Sequence, residues 1–258
     1  MIYSLLVPTR ERASGLERFM NSVWKTTTHK KNIEVLFGCD EDDNQADAVT
    51  KHIINQYRTI HMEVHKRKRS VYLNKDYYNW LAEKAHGDFY WILADDLEIM
   101  AYNWDEIILN HINAFLADKP DRIVCASIKD NTPPPSHLLP KFPCFPMFSK
   151  QVLEALGFLL HPRVPNWGAD YVAYQTFKPI GRLLQIHDRN YLNHISWHTK
   201  QIKPDKTNVR IGNIFNELKM VPEHNVDRIL AGEVPKHRGK LNKFIGEHNE
   251  RMGKEKPI

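Results

Sequence analysis

Asp95 and Asp96 leave the apolar run Phe89-Tyr90-Trp91-Ile92-Leu93 as adjacent carboxylates. Two such groups at the end of a buried strand repel each other unless a positive charge offsets them. A divalent cation held by carboxylate oxygens does this, and such cations commonly bridge to substrate phosphates. A solvated turn after a strand yields the same dipeptide, so the pair alone leaves both readings open. His194-Ile195-Ser196-Trp197-His198 holds two imidazoles, and a neutral imidazole completes the coordination sphere of a metal otherwise held by oxygen. With 14 histidines in the chain, a surface role fits either His194 or His198 equally well. Lys66-Arg67-Lys68-Arg69 reads as a contact for a base or diphosphate, as a nucleic-acid patch, or as a solvated charge run. Asp170 stands at the start of a predicted helix, where a carboxylate caps the first turn and is favoured by the helix dipole.

These residues need elements to position them. Ile2 to Val7, Ile33 to Gly38, Ile60 to Val64, Phe89 to Leu93 and Arg122 to Ser127 read as short buried strands. Between them, helices are predicted from Ser14, as N-cap with Glu17 three residues on, from the acidic turn Asp40 to Asn44 through Tyr57, over Tyr72 to Ala85, and around Trp104 to Leu116. Alternating strands and helices argue for a mostly parallel sheet covered by helices. Such sheets bind ligands at the carboxyl ends of their strands, near a reversal of strand order. Here those ends carry Pro8-Thr9-Arg10, Asp40 and Asp95-Asp96, which would all open on one rim.

After Asp130 the pattern changes. Thr132-Pro133-Pro134-Pro135-Ser136 is a loop, and Phe142 to Phe148 is extended. A short helix from Ser149 to Leu156 ends at Gly157 as C-cap, and Pro165 to Asp170 opens another. Arg182 to Ile186 and Tyr191 to Ile195 are candidate strands. The segment from Pro235, with seven Lys and Arg against three Glu, reads as a basic, poorly ordered tail. The expected organisation is a first half (1–130), a second half of the same domain (131–234), and the tail (235–258).

Composition excludes several classes. The chain has 258 residues, 42% hydrophobic and 26% charged, which rules out wholesale disorder. Nothing approaches the roughly 18 consecutive apolar residues of a membrane span. The start reaches Pro8 and Arg10 too early for the reading of a signal peptide. Three cysteines, Cys39, Cys125 and Cys144, lack metal or redox spacing and fit a reducing compartment. We therefore expect a cytoplasmic protein. The net charge of +5 is concentrated in Lys66 to Arg69 and in the tail, a place for peripheral contact with the inner face of a membrane; nucleic acid is the weaker expectation.

Asn79, then Ala85-His86-Gly87-Asp88, the apolar strand and Asp95-Asp96, resembles family-2-type glycosyltransferases of the glycosyltransferase-A fold. Val7-Pro8-Thr9-Arg10 followed by Leu16, and Ile33-Glu34-Val35 leading to Asp40, are similar to the same family. The resemblance covers about residues 1–200 and implies that 1–130 is the nucleotide-sugar-binding half and 131–234 the acceptor-binding and metal-completing half of the same domain. It implies a Rossmann-like α/β sheet and a metal-dependent, inverting transfer from a nucleotide-diphosphate sugar, with UDP the commonest base. It places Pro8, Thr9, Arg10 and Asp40 against the nucleotide, with Arg69, Asn79 and Asp95 as further donor contacts. Asp96, His194 and His198 would hold Mn2+ or Mg2+. Asp170 would deprotonate a hydroxyl of a glycan, lipid or protein acceptor. Trp167 and Gly168 would line the acceptor site, with the indole as a face for a sugar ring. The sequence departs from the family at Ala94, which replaces the first carboxylate of the usual D-x-D motif.

Two other functions fit parts of the sequence. A sugar-phosphate nucleotidyltransferase would share the fold but carry a Gly-rich loop after the first strand, where this chain has Thr9-Arg10-Glu11-Arg12. A polyanion- or membrane-binding protein with a retained but inactive fold would use the basic clusters alone.

Overall fold

The computed structural model describes residues 1–132, 144–196 and 222–254, together with 201, 213, 216 and 217. Its centre is a seven-stranded sheet in the order β3-β2-β1-β4-β7-β6-β8. The strands are β1 (Tyr3–Thr9), β2 (Ile33–Asp40), β3 (His61–Arg67), β4 (Phe89–Ile92), β6 (Cys125–Ile128), β7 (Met147–Ser149) and β8 (Leu183–Ile186). Two short strands, β5 (Leu97–Ile99) and β9 (Leu192–His194), pair antiparallel beside it. β1, β2, β3 and β4 run parallel, and β7 is inserted antiparallel to both β4 and β6. β7 lies in the stretch expected to be extended. One sheet therefore contains strands from both predicted halves.

The central strands β1, β2 and β4 are buried on both faces, being apolar at nearly all successive positions, whereas β3 at the edge is only half-buried. Tyr3, Leu5 and Val7 of β1 join a cluster with Leu16, Phe19 and Val23 of α1 (Ala13–Thr26), Ile53 of α2 (Asn44–Gln56), and Trp104 and Ile108 of α4 (Trp104–Leu116). Leu6, one residue out of phase, joins the opposite cluster with Val152 of α5 (Lys150–Leu156) and Val172 and Phe177 of α6 (Ala169–Phe177). This alternation places three helices over one face and the later helices over the other.

Several local expectations change. Ser14 does not cap α1; the helix begins at Ala13, with the Arg12 carbonyl accepting from Gly15 N–H. In contrast, Asp43 does cap α2, accepting from Ala46 N–H at 2.9 Å. The helix expected over Tyr72 to Ala85 is a π-helical turn, Asn74–Asn79, running into a short α3 (Trp80–Ala82). The basic tail, expected to be poorly ordered, is helical over its described residues. After α7 (Val226–Gly232), residues Val234–Lys254 form the long helix α8. Val234 and Leu241 are fully buried, Phe244 and Ile245 pack beside them, and the stripe rests on α5, α6 and α7. Gly157 closes α5 in the left-handed conformation, φ +82°, as its C-cap position predicts.

Candidate active site

The strand order reverses beside β1, with β2 on one side and β4 on the other, so the crevice at their carboxyl ends is the expected ligand position. Thr9 ends β1, and its hydroxyl donates to Asp95 Oδ2 at 2.7 Å across that crevice. Arg12, just before α1, reaches the same place: its Nη1 lies 3.3 Å from Asp95 Oδ1 and 3.1 Å from Asp96 Oδ2. Gly15 makes this approach possible. A Cβ there would sit 2.5 Å from the Asp95 carbonyl oxygen, so only glycine lets α1 lie on the carboxylate segment.

On the β2 side, Asp40 is fully buried. Its carboxylate pairs with Arg10 Nε and accepts from Tyr77 OH, and Arg10 Nη2 approaches Oδ1 at 3.2 Å. Arg69 Nε stands 3.5 Å from Asp40, and its other nitrogens reach Glu11 and Asp42 at 3.0 and 3.2 Å. The strand ends bring Thr9, Arg10, Asp40, Asp95 and Asp96 to one edge of the sheet, and Arg69, just beyond β3, reaches Asp40 there.

His194 joins them through β5–β9 pairing. Leu97 is registered against His194, and Ile195 N–H donates to the Asp96 carbonyl at 2.8 Å. The imidazole Nε2 consequently faces Asp96 Oδ1 at 3.6 Å. That oxygen is buried and has no hydrogen-bond partner. An unsatisfied anionic oxygen beside an imidazole fits a divalent cation, whose neighbouring ligands stand roughly 3 Å apart. On its other side, His194 Nδ1 lies 3.0 Å from Thr132 Oγ1, and Asn131 Oδ1 accepts from the His194 backbone at 2.6 Å. His198 lies outside the described residues.

Burial raises both adjacent carboxylates, and their different partners drive them apart. It pushes Asp95 above the ordinary carboxylate range, with Arg12 and Thr9 opposing. Burial also acts upward on Asp96, but His194 and Arg12 outweigh it and hold that group below its ordinary value. One carboxylate is thus kept anionic at the orphaned oxygen.

Asp170 sits in the first turn of α6, after Gly168 in the left-handed conformation, φ +92°. Its carboxyl is pushed up to about 6, chiefly by burial, with backbone hydrogen bonds opposing and the Asp130 charge adding. The thiol of half-buried Cys144 is raised by burial and by the charges of Asp130 and Asp170. Trp167, two residues before the helix, is 38% exposed.

No protein-family model matches the sequence, and no curated protein matches it either. Solved structures do. The Staphylococcus aureus TarS 1–349 structure in complex with UDP superposes with a TM-score of 0.57 at 16% identity, covering 84% of this chain and 70% of that one. Mannosyltransferase PcManGT from Pyrobaculum calidifontis, in complex with GDP-Man and Mn2+, gives 0.58 at 12% identity over 99% and 76%. GalNAc-T7 with UDP, GalNAc and Mn2+ gives 0.55 at 16% identity over 96% and 54%.

The chain has the glycosyltransferase-A fold.

Within the glycosyltransferase-A fold, one predicted residue is placed differently from its expected role. Asn79 is buried, its Oδ1 accepting from Leu159 and Leu160 N–H, both at 3.0 Å, and its Nδ2 donating to the Leu160 carbonyl at 2.7 Å. It clamps the loop after α5 instead of facing the rim. Asn74 does the same further along, donating to the Val164 and Asn166 carbonyls at 2.7 and 2.8 Å. Between them, Tyr77 holds Asp40, and Tyr78 OH donates to the Leu93 carbonyl at 2.8 Å. One π-helical turn thereby ties the Asp40 end, the strand before Asp95 and the loop leading to Trp167. Asn74, Tyr77, Arg12 and Gly15 were not singled out from sequence. The Tyr77-Tyr78-Asn79 run was the available signal, but helical periodicity cannot reveal a π-turn.

Proposed function

We propose that this protein is a metal-dependent, inverting glycosyltransferase that moves a sugar from a nucleotide-diphosphate donor, UDP-sugar favoured, to a hydroxyl acceptor. The observation that carries this reading is the orphaned, buried Asp96 oxygen facing His194 at the reversal of strand order. The nucleotide complexes of the structurally similar proteins support it.

Asp96 and His194 would hold Mn2+ or Mg2+, and His198 is proposed as a further ligand from its sequence position. A cation there neutralises charge developing on the diphosphate leaving group. Arg10 and Arg69, preoriented by Asp40, would contact base and diphosphate, while Pro8 and Thr9 border the nucleoside. Asp95, engaged by Thr9 and lacking the companion carboxylate at Ala94, would contact the ribose through its remaining oxygen. Arg12 must exchange its carboxylate contacts for the donor's phosphates when the donor enters.

Asp170 would accept the proton of the acceptor hydroxyl. A carboxylate at about 6 is ionised at neutral pH yet basic enough to share that proton in the transition state. The attacking oxygen then displaces the diphosphate in line and inverts the anomeric carbon. Trp167 offers a partly exposed indole face for a sugar ring, and Gly168 sets the turn that presents it. Exposed Lys236, Lys240 and Lys243 on α8 are proposed for peripheral contact with an anionic membrane carrying or adjoining the acceptor.

A second reading has a specific observation behind it. Arg12 neutralises both carboxylates without any metal, and Ala94 has lost the first acid, as in a fold retained without catalysis. Two variants separate the readings. Asp170→Asn should abolish donor turnover while nucleotide binding persists, and Asp96→Ala should weaken metal-dependent nucleotide binding itself. Unchanged turnover in both variants would refute the assignment.

A further inference from the structure

His161, Glu233 and His237 lie on the opposite side of the sheet from the cluster that contains α1, in the layer built by α5, α6 and α8. One ligand atom from each falls within 4.8 Å of the other two. His161 and His237 are 4% and 6% exposed. Glu233 and His237 are four residues apart, with His237 N–H donating to the Glu233 carbonyl at 3.0 Å, so their side chains share one helical face. His161 comes from the loop that Asn79 clamps, far away in sequence. Phe158 walls the group, with ring centroids 5.7 Å from His161 and 5.1 Å from His237.

We propose that His161, Glu233 and His237 form a divalent-metal site of the zinc class, separate from the carboxylate rim, that fastens the C-terminal helix to the body of the protein. Two imidazoles and one carboxylate are a ligand set that borderline metals such as Zn2+ accept, with a fourth position left for water. Glu233 supplies the solvent side, its side chain being 29% exposed. Lys236 and Arg163 approach Glu233 at 3.1 and 3.6 Å, but both reach Oε1, which leaves Oε2 for the ion. The Arg163 N–H contact to His161 Nδ1, at 3.2 Å, is long and is the one hydrogen bond the imidazole gives up on coordination. The grouping of Glu34, His61 and Glu63 differs, because both Glu34 oxygens already serve Ser4 and His86.

The proposal does not depend on the glycosyltransferase reading. Its test is a Zn2+ titration of the metal-stripped full chain, following Tm and bound metal, with Co2+ as a spectroscopic substitute. Asp96→Ala, which removes the proposed rim site, should still bind one equivalent, gain stability and show the visible bands of four-coordinate Co2+, and wild type should bind at least that equivalent. The change Glu233→Gln, at a partly exposed position, should weaken Zn2+ binding by about tenfold or more, and His161→Gln with His237→Gln should abolish it. An equal Zn2+ response in Glu233→Gln, its loss only in Asp96→Ala, or no response in wild type would overturn the proposal. Glu233→Gln keeps the test decisive if the double histidine variant does not fold.

Discussion

Asp96 Oδ1 and His194 Nε2 face each other at 3.6 Å, although they come from distant parts of the chain. The β5–β9 ladder creates this proximity, and Thr132 and Asn131 hold the imidazole and its backbone from behind. If the pair holds a cation, His194→Ala should weaken Mn2+-dependent nucleotide binding by roughly ten- to a hundredfold, the range expected on losing a ligand or its support. Binding measured in EDTA should be unchanged. Equal Mn2+ dependence in the variant and wild type would remove His194 from the site.

Arg12 now plays the positive partner of both carboxylates. Arg12→Ala leaves two buried carboxylates facing each other, so the metal-free protein should lose on the order of 2 kcal/mol in chemical denaturation. Mn2+ should then stabilise the variant more than it stabilises wild type, because the ion no longer competes with a guanidinium. A variant as stable as wild type and no more responsive to Mn2+ would contradict this.

Glycines make two opposite predictions. At Gly15 a Cβ meets backbone 2.5 Å away, so Gly15→Ala must displace α1 from the carboxylate segment. A loss of roughly 1–3 kcal/mol is expected from such overpacking, together with weaker nucleotide binding. At Gly239 in α8 nothing lies within 4 Å of a new Cβ, and Gly239→Ala should raise stability by about 0.5–1 kcal/mol through helix propensity. Denaturant midpoints of the two variants check both signs.

Asp170 has a folded-state value of about 6, above its unfolded value near 3.8. Its stabilising contribution is therefore full below about pH 4 and is lost as pH rises through 6. Asp170→Asn should be more stable than wild type at pH 7.5, by up to about 3 kcal/mol. That gain should fade as pH falls toward 4. Wild-type turnover should decline on an acid limb near pH 6. A stability difference that stays constant with pH would rule out this carboxylate as the buried, raised group.

The rim was legible in sequence because apolar strands ended abruptly in Thr9-Arg10, Asp40 and Asp95-Asp96, and parallel strands must deliver their ends to one edge. The burial of β1 was legible because Ile2 to Val7 is a nearly continuous apolar run, as a strand covered on both faces requires. Asn79 was misread because a motif position does not reveal which backbone groups an amide meets; the loop at Leu159 and Leu160 lies some eighty residues away. The C-terminal helix was missed because Gly239, Gly246 and Gly253 lower helix propensity, whereas packing of Val234, Leu241, Phe244 and Ile245 against α5 and α6 overrides it. Arg12 carried no motif at all. Its importance depends on Gly15, whose close contact is purely three-dimensional.

The most direct test is a thermal-shift panel of UDP- and GDP-sugars with and without Mn2+, run on wild type and Asp96→Ala. One nucleotide class should stabilise wild type only when Mn2+ is present, and Asp96→Ala should lose that response. Equal stabilisation in EDTA, or an undiminished Mn2+-dependent shift in Asp96→Ala, would contradict a metal-dependent donor site on the β1–β4 rim.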